Sequence, residues 1–203
     1  MEKAAMVKAS SSKGMNGRKR NFFLEFLKNP REIGSIIPSS PFLAKAMIKE
    51  IDFTKAKAIV EFGPGDGCIT KPLLTRMSAQ TDLFAFEVNE RFCDMLHPQV
   101  EKHPNLHLFN QSAEDVKAVL RARGIEYANY IVSGLPMVIL PPELRERIWQ
   151  ASLKILKPGG LYFQYHYSTA LQSEYKRLFD SVEIKLVPLN IPPAYVFTCR
   201  KHH

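Results

Sequence analysis

Residues 57–62 read Lys-Ala-Ile-Val-Glu-Phe and run straight into Gly63-Pro64-Gly65-Asp66-Gly67. The apolar run has the length and composition of a buried strand. Glycines behind it let the backbone turn sharply and approach a ligand closely. Residues 69–77 follow with helical spacing, in which Pro72 is tolerable only near the first turn. A strand that feeds a helix through a tight loop returns by a crossover, so this segment demands a parallel sheet covered by helices. The loop is not a P-loop, because no Gly-Lys-Ser/Thr follows. Nor is it the dinucleotide fingerprint, since its third glycine falls one position too early for G-x-G-x-x-G. A helix start behind such glycines favours an anionic group such as a carboxylate.

The same alternation continues along the chain. The pattern predicts a helix over 42–51, opened by Pro38-Ser39-Ser40-Pro41, then strands over 57–62, 83–88, 106–109, 130–133 and 161–167. Helices are predicted over 69–77, 90–96, 113–123, 142–156 and 170–179. Strands over 182–187 and 195–199 have no helix between them and form an antiparallel edge. The expected fold is therefore α/β and Rossmann-like, with a seven-stranded, mostly parallel sheet. Ligands of such sheets bind outside the carboxyl ends of the strands, at the topological switch point. At 203 residues with 45% hydrophobic side chains, one domain can bury a full core without disulfide or metal staples. Cys68, Cys93 and Cys199 form no CxxC pair and leave one over, which points away from a secreted scaffold and to a reducing cytosol. No apolar stretch reaches the roughly 20 residues of a membrane span, and no signal-peptide core stands near the N-terminus.

Charge divides the chain at residue 31. Residues 1–31 hold eight Lys/Arg against two Glu, a net of +6, whereas 32–203 hold twenty basic and eighteen acidic residues, a net of +2. A basic arm on a nearly neutral body meets something anionic, either nucleic acid or lipid. Within it, Arg18-Lys19-Arg20 precedes Asn21, and Phe22, Phe23, Phe26 and Leu27 share one helical face before Asn29-Pro30 ends the run. Such an amphipathic helix fits an anionic membrane surface or docks its Phe stripe on the body as core. Two parts are expected: a basic arm with a membrane-binding helix over 1–31, and the catalytic domain over 32–203.

Glu87 closes the second strand, twenty residues beyond Gly67, where a carboxylate accepts hydrogen bonds from ribose hydroxyls. With Glu61-x-Gly63-x-Gly65-x-Gly67, this acid resembles the class I S-adenosyl-L-methionine (SAM) methyltransferases over residues 33–200. The resemblance implies SAM as cofactor, with S-adenosyl-L-homocysteine as product. Gly63, Gly65 and Gly67 would hold its methionyl part, with Glu61 and Asp66 as polar lining. Glu87 and Val88 would take the ribose, and Ser112, Ala113 and Glu114 the adenine. Ser133 and Ser39 would complete the cofactor site, Ser39 and Ser40 also serving as helix caps.

A narrower likeness rests on Gly34-Ser35-Ile36-Ile37-Pro38-Ser39-Ser40, Val132-Ser133-Gly134-Leu135-Pro136 and Ile191-Pro192-Pro193-Ala194. Together these are similar to the bacterial soluble phospholipid N-methyltransferases, which methylate phosphatidylethanolamine toward phosphatidylcholine, with relatives acting on ornithine lipids. Enzymes that dimethylate rRNA adenine share the SAM half but carry Asn/Asp-Pro-Pro-aromatic after strand four. Here Ser133-Gly134-Leu135-Pro136 supplies no amide or carboxylate to hold a base amine. The expected function is N-methylation of a lipid amine head group by a cytoplasmic protein held peripherally on the inner face of the membrane. N-methylation of rRNA adenine, or of another RNA or a small molecule, is the alternative.

A sulfonium methyl is transferred in line, so positioning does most of the work. Tyr165 and Tyr167 lie two apart near the end of strand five and share a face, where their rings suit a methylated ammonium. Tyr195 is expected to add a third ring. These tyrosines read equally as ordinary half-buried strand residues. His166 points the other way as a structural residue. His97, His103 and His107, next to Pro98 and Pro104, are expected in a loop and not on a metal, and Cys68 reads as a small filler.

Overall fold

The computed structural model describes residues 40–202. Ser39 and the amphipathic segment over 18–31 lie outside the described residues. Helix α1 (Pro41–Met47) starts at Ser40, whose hydroxyl accepts the Leu43 N–H. Then follow β1 (Ala58–Phe62), α2 (Thr70–Arg76), β2 (Asp82–Phe86), α3 (Glu90–Lys102) and β3 (Leu106–Phe109). After a 3₁₀ turn (Ala113–Asp115) come α4 (Val116–Ala122), β4 (Ala128–Ser133), α5 (Pro142–Ile155), β5 (Leu156–His166), α6 (Gln172–Leu178), β6 (Ser181–Val187) and β7 (Ala194–Arg200).

The seven strands form one sheet in the order β3-β2-β1-β4-β5-β7-β6, with β7 antiparallel to both neighbours and every other pairing parallel. Crossovers leave β1 in opposite directions, to β2 and to β4, so the switch point lies where β1 ends at the glycine loop. All five residues of β1 are buried, as a central strand covered on both faces requires. On one face, Leu43, Met47 and Ile48 of the α1 segment and Leu73 of α2 pack with Ile59, Leu83, Val132 and Phe163. On the other, Trp149 of α5 and Tyr175 of α6 gather against Tyr162, whose ring lies 6.2 Å from that of Tyr175.

The helix expected over 42–51 stops at Met47 and that over 113–123 opens as a 3₁₀ turn, and three further elements depart from the pattern. Helix α3 runs to Lys102, not Leu96, with Pro98 inside it. The ring forfeits one N–H bond, but Leu96 is buried beyond the first turns and Val100 packs on the core, so the apolar face carries the helix through. His97 is therefore helical, His103 caps the helix, and His107 lies on β3 with Nε2 2.8 Å from Asp82 Oδ1. The loop expected for these histidines is not formed. Strand β5 begins at Leu156, so Lys157-Pro158-Gly159-Gly160 is strand and not only a helix stop. A Cβ on Gly160 would stand 2.9 Å from Asn129 O, and the β4–β5 register shifts there. Strand β2 ends at Phe86, which places Glu87 just beyond it.

Candidate functional site

Two backbone bonds tie the loops at the switch point together. Gly63 N–H donates to Phe86 O at 2.9 Å, and Gly134 N–H donates to Phe62 O at 2.8 Å. A Cβ on Gly134 would lie 2.8 Å from Gly63 O, so only glycine lets the loop after β4 close on the loop after β1. Gly65 has φ +57° and nothing within 4 Å of its added Cβ. There the backbone conformation demands glycine, and the space beside it stays open. The Asp66 carboxylate accepts the Cys68 N–H at 3.1 Å and pins the turn.

Glu87 stands across this loop. Its Oε2 accepts the Gly65 N–H at 3.2 Å and its Oε1 the Asn89 N–H at 2.9 Å, while Asn110 Nδ2 donates to the Glu87 carbonyl at 2.9 Å. Burial pushes its pKa up, and the backbone donors of Asn89, Gly65 and Val88 oppose that rise. Each oxygen keeps a lone pair for a hydroxyl donor. Glu61 differs. It is buried, and neither carboxyl oxygen has a hydrogen-bond partner among the described residues, nor does the adjacent Thr70 hydroxyl. Burial pushes its pKa up to about 8; the neighbouring Thr70 hydroxyl, close by but outside hydrogen-bond geometry, opposes the rise, and the Glu87 charge adds to it. A carboxyl of this kind is protonated at neutral pH.

The other expected cofactor residues fall at the carboxyl ends of neighbouring strands. Ser112 caps the 3₁₀ turn after β3 by accepting the Glu114 N–H, Ala113 is buried, and Val88 is half-buried. The Glu114 carboxylate is engaged by Arg147 Nε at 2.6 Å, so its backbone rather than its acid is left to a nucleoside. Ser133 ends β4 fully buried, its hydroxyl accepting the Leu135 N–H. Sequence reasoning missed Gln164, whose Nε2 donates to Leu135 O at 2.9 Å and clamps the loop after β4. The signal was available: one amide in the run Leu-Tyr-Phe-Gln-Tyr-His, and fully buried amides bind something.

Tyr165 and Tyr167 do share a face, with ring centroids 5.9 Å apart at 78°. Tyr165 packs on the core and Tyr167 is exposed. The expected third ring is not beside them. Tyr195 pairs with His166 across the β5–β7 ladder, and directly opposed residues project on one face, so Tyr195 sits on the side away from Tyr165. His166 is buried with Nε2 3.1 Å from Tyr175 Oη, and burial pulls its pKa down to about 4, which keeps it neutral. No group of three metal-ligating side chains converges among the described residues.

The residues present fit a sulfonium nucleoside. The backbone at Gly65 borders open space, a nearly buried carboxylate retains acceptor capacity, and Glu61 holds an orphaned polar group behind them. Solved structures agree on the fold. An rRNA methylase of Streptococcus thermophilus superposes with TM-score 0.60 at 18% identity, covering 83% of this chain and 100% of that one. A 16S rRNA methyltransferase of T. thermophilus in complex with AdoMet and guanosine gives TM-score 0.62 at 16% identity, over 83% of this chain and 44% of that one. Fold and loop define a class I SAM-dependent methyltransferase. The profile "RrnaAD: Ribosomal RNA adenine dimethylase" matches residues 17–126, and the chain belongs to this family. Among its relatives, an ornithine lipid N-methyltransferase of Singulisphaera acidiphila is 32% identical over 185 residues, 89% of this chain and 96% of that protein. A ribosomal RNA small subunit methyltransferase A of Thermotoga petrophila is 28% identical over 177 residues, 80% of this chain but 64% of that protein.

Proposed function

We propose that this enzyme moves the methyl group of SAM to the amine of a lipid head group, either ornithine lipid or phosphatidylethanolamine on the way to phosphatidylcholine. One observation carries the reading: the ornithine lipid enzyme is 32% identical over 89% of this chain and 96% of its own length, whereas the ribosomal RNA relative is 28% identical over 80% of this chain and only 64% of its own length. The acceptor is read here from the end of β4. There Ser133-Gly134-Leu135-Pro136 puts no amide or carboxylate where a base amine would be held.

In this reading the backbone of Gly63, Gly65 and Gly67, with Glu61 and Asp66 as polar lining, holds the methionyl end. Glu87 and Val88 hold the ribose, Ser112, Ala113 and Glu114 border the adenine, and Ser133 backs the reacting end. SAM supplies an electrophilic methyl on sulfonium sulfur. The protein's tasks are then alignment and desolvation. A lipid amine with a pKa of about 10, by analogy with lysine, must lose a proton before attack, and desolvation favours its neutral form. The rings of Tyr165 and Tyr167 stabilise the methylated ammonium through their faces, an interaction worth about 0.5–2 kcal/mol. Burial raises the Tyr167 pKa, so its phenol stays protonated and accepts or donates a hydrogen bond without charge. Residues 1–31 form a basic arm that meets anionic lipid at the inner face of the membrane. No helix among the described residues is long and apolar enough to cross one.

Incubation with methyl-labelled SAM and, separately, a bacterial lipid extract and total RNA tests this. Label in an amine-bearing lipid is expected. Label confined to RNA would sink the proposal and favour the reading that the ribosomal RNA relatives suggest.

A further inference from the structure

The two ends of the sheet differ in charge. At the amino ends of the strands lie Lys55, Lys57, Arg123, Glu126, Lys157, Asp180, Arg200 and Lys201. At the carboxyl ends of β4, β5 and β6, with β7 between the last two, three loops carry no charge at all: 134–141, 167–171 and 188–193. Antiparallel pairing of β7 to both β5 and β6 brings the 188–193 loop level with the end of β5, where His166 faces Tyr195 and Val187 faces Ala194.

These loops are also where apolar side chains meet solvent. Of nine large hydrophobic residues exposed among those described, Val138, Ile139, Tyr167, Leu189 and Ile191 lie on them. Phe42 joins them through α1, because Ser40 N–H donates to Asn190 Oδ1 at 3.1 Å. Asn190 explains the exposure. Its buried amide also donates to Pro192 O at 2.7 Å, which turns Asn190 inward and its two neighbours outward, leaving Leu189 61% and Ile191 79% exposed. A loop held this way keeps its apolar tip in water instead of folding it under. Beside this edge, α1 and α2 line a groove with an apolar floor of Ala44, Ile48 and Pro72. Lys45, Lys71 and Arg76 border it, no acid lines it, and none of the three cations is in an ion pair among the described residues. An uncharged apolar edge with tyrosine, flanked by unpaired cations, complements the interfacial layer of an anionic bilayer.

We propose that this uncharged edge, with Leu189 and Ile191 at its tip, seats the enzyme on the head-group layer of an anionic bilayer. The inference rests on the lipid reading above and deepens it: the acceptor amine is offered at the surface where Tyr165 and Tyr167 stand, without extraction of the lipid. The chain has a single tryptophan, buried Trp149, so an added one is readable. In the full chain, Ile191→Trp is expected to show a blue-shifted emission that brominated lipid quenches when vesicles of phosphatidylethanolamine and phosphatidylglycerol are added. Tyr127→Trp, at the opposite end of the sheet, is expected to show neither. An unresponsive Ile191→Trp, or an equal response from both, overturns the proposal. The double variant Leu189→Ser with Ile191→Ser should transfer methyl to vesicle lipid about tenfold more slowly, as loss of apolar insertion predicts. Its rate on a short-chain lipid dissolved as monomers should be unchanged, and an equal loss on both substrates also overturns the proposal. If the native chain methylates neither vesicle lipid nor dissolved lipid, the lipid reading fails, while the tryptophan pair still decides the docking.

Discussion

Glu61 and Glu87 are both carboxylates within the same site, and their surroundings separate them. Glu87 is solvated by two backbone N–H groups, and Glu61 by none. Its folded pKa of about 8 lies above the ordinary 4.5, so the folded state binds a proton more tightly than the unfolded one. The stability this confers is complete below 4.5, declines as pH rises, and is gone above about 8. Glu61→Gln removes that dependence. Without SAM, its unfolding free energy from urea titration should match the native one at about pH 4 and exceed it increasingly toward about pH 8, by an amount on the order of a few kcal/mol. A difference that is flat with pH would refute a neutral buried acid. Glu87→Ala should weaken SAM binding about a hundredfold in titration calorimetry, the loss expected for a charged acceptor of two hydroxyl donors. Near-native affinity would remove Glu87 from the site. These two acids and the glycines were legible because their spacing follows the backbone. The ties of Glu114 to Arg147 and of Gln164 to Leu135 were not, since those pairs lie 33 and 29 residues apart and meet only through the sheet.

Elements were legible where the apolar period was unbroken and obscure where proline or glycine interrupted it. Pro98 and the run Lys157-Pro158-Gly159-Gly160 both read as stops, yet packing carried α3 and β5 through them. The face of Tyr195 was set by ladder register, which local pattern cannot supply. Gly134 shows how one element boundary controls two. Its N–H joins β4 to the end of β1, and an added Cβ would press on the Gly63 carbonyl at 2.8 Å, a backbone atom that cannot step aside as a side chain can. Gly134→Ala should therefore lower stability by about 1–3 kcal/mol, the usual cost of overpacking. It should also displace the glycine loop and weaken SAM binding. Gly65→Ala is the contrast, with only backbone strain and a Cβ directed into open space. It should cost stability about 1–2 kcal/mol, the left-handed penalty, while SAM affinity falls further than in Gly134→Ala. Urea unfolding and calorimetry on the two variants check the ordering, and equal losses of affinity would contradict the placement of the methionyl end beside Gly65.

At the scale of the whole molecule, the proposed attraction to a bilayer would draw on two sources with different physics. The arm over 1–31 carries a net +6 on a body of +2, and its attraction is Coulombic. Salt screens it over about 8 Å at physiological ionic strength, and each basic residue near an anionic surface contributes about 1 kcal/mol. The edge formed by Leu189 and Ile191 contributes by removal of apolar surface from water, which salt does not weaken. Arg18→Gln with Lys19→Gln and Arg20→Gln should therefore reduce vesicle binding by up to about a hundredfold at low salt and hardly at all at about 1 M salt. The Leu189→Ser, Ile191→Ser variant should show its deficit at both. Vesicle sedimentation across a salt series separates the two slopes. An enzyme built for RNA would behave otherwise: its affinity would fall steeply with salt in every variant, neutralising the arm would flatten the slope, and serines at 189 and 191 would leave it unaltered. Parallel lines for the two variants on vesicles would mean that arm and edge do not act as independent contacts, and the division of labour between them would have to be abandoned.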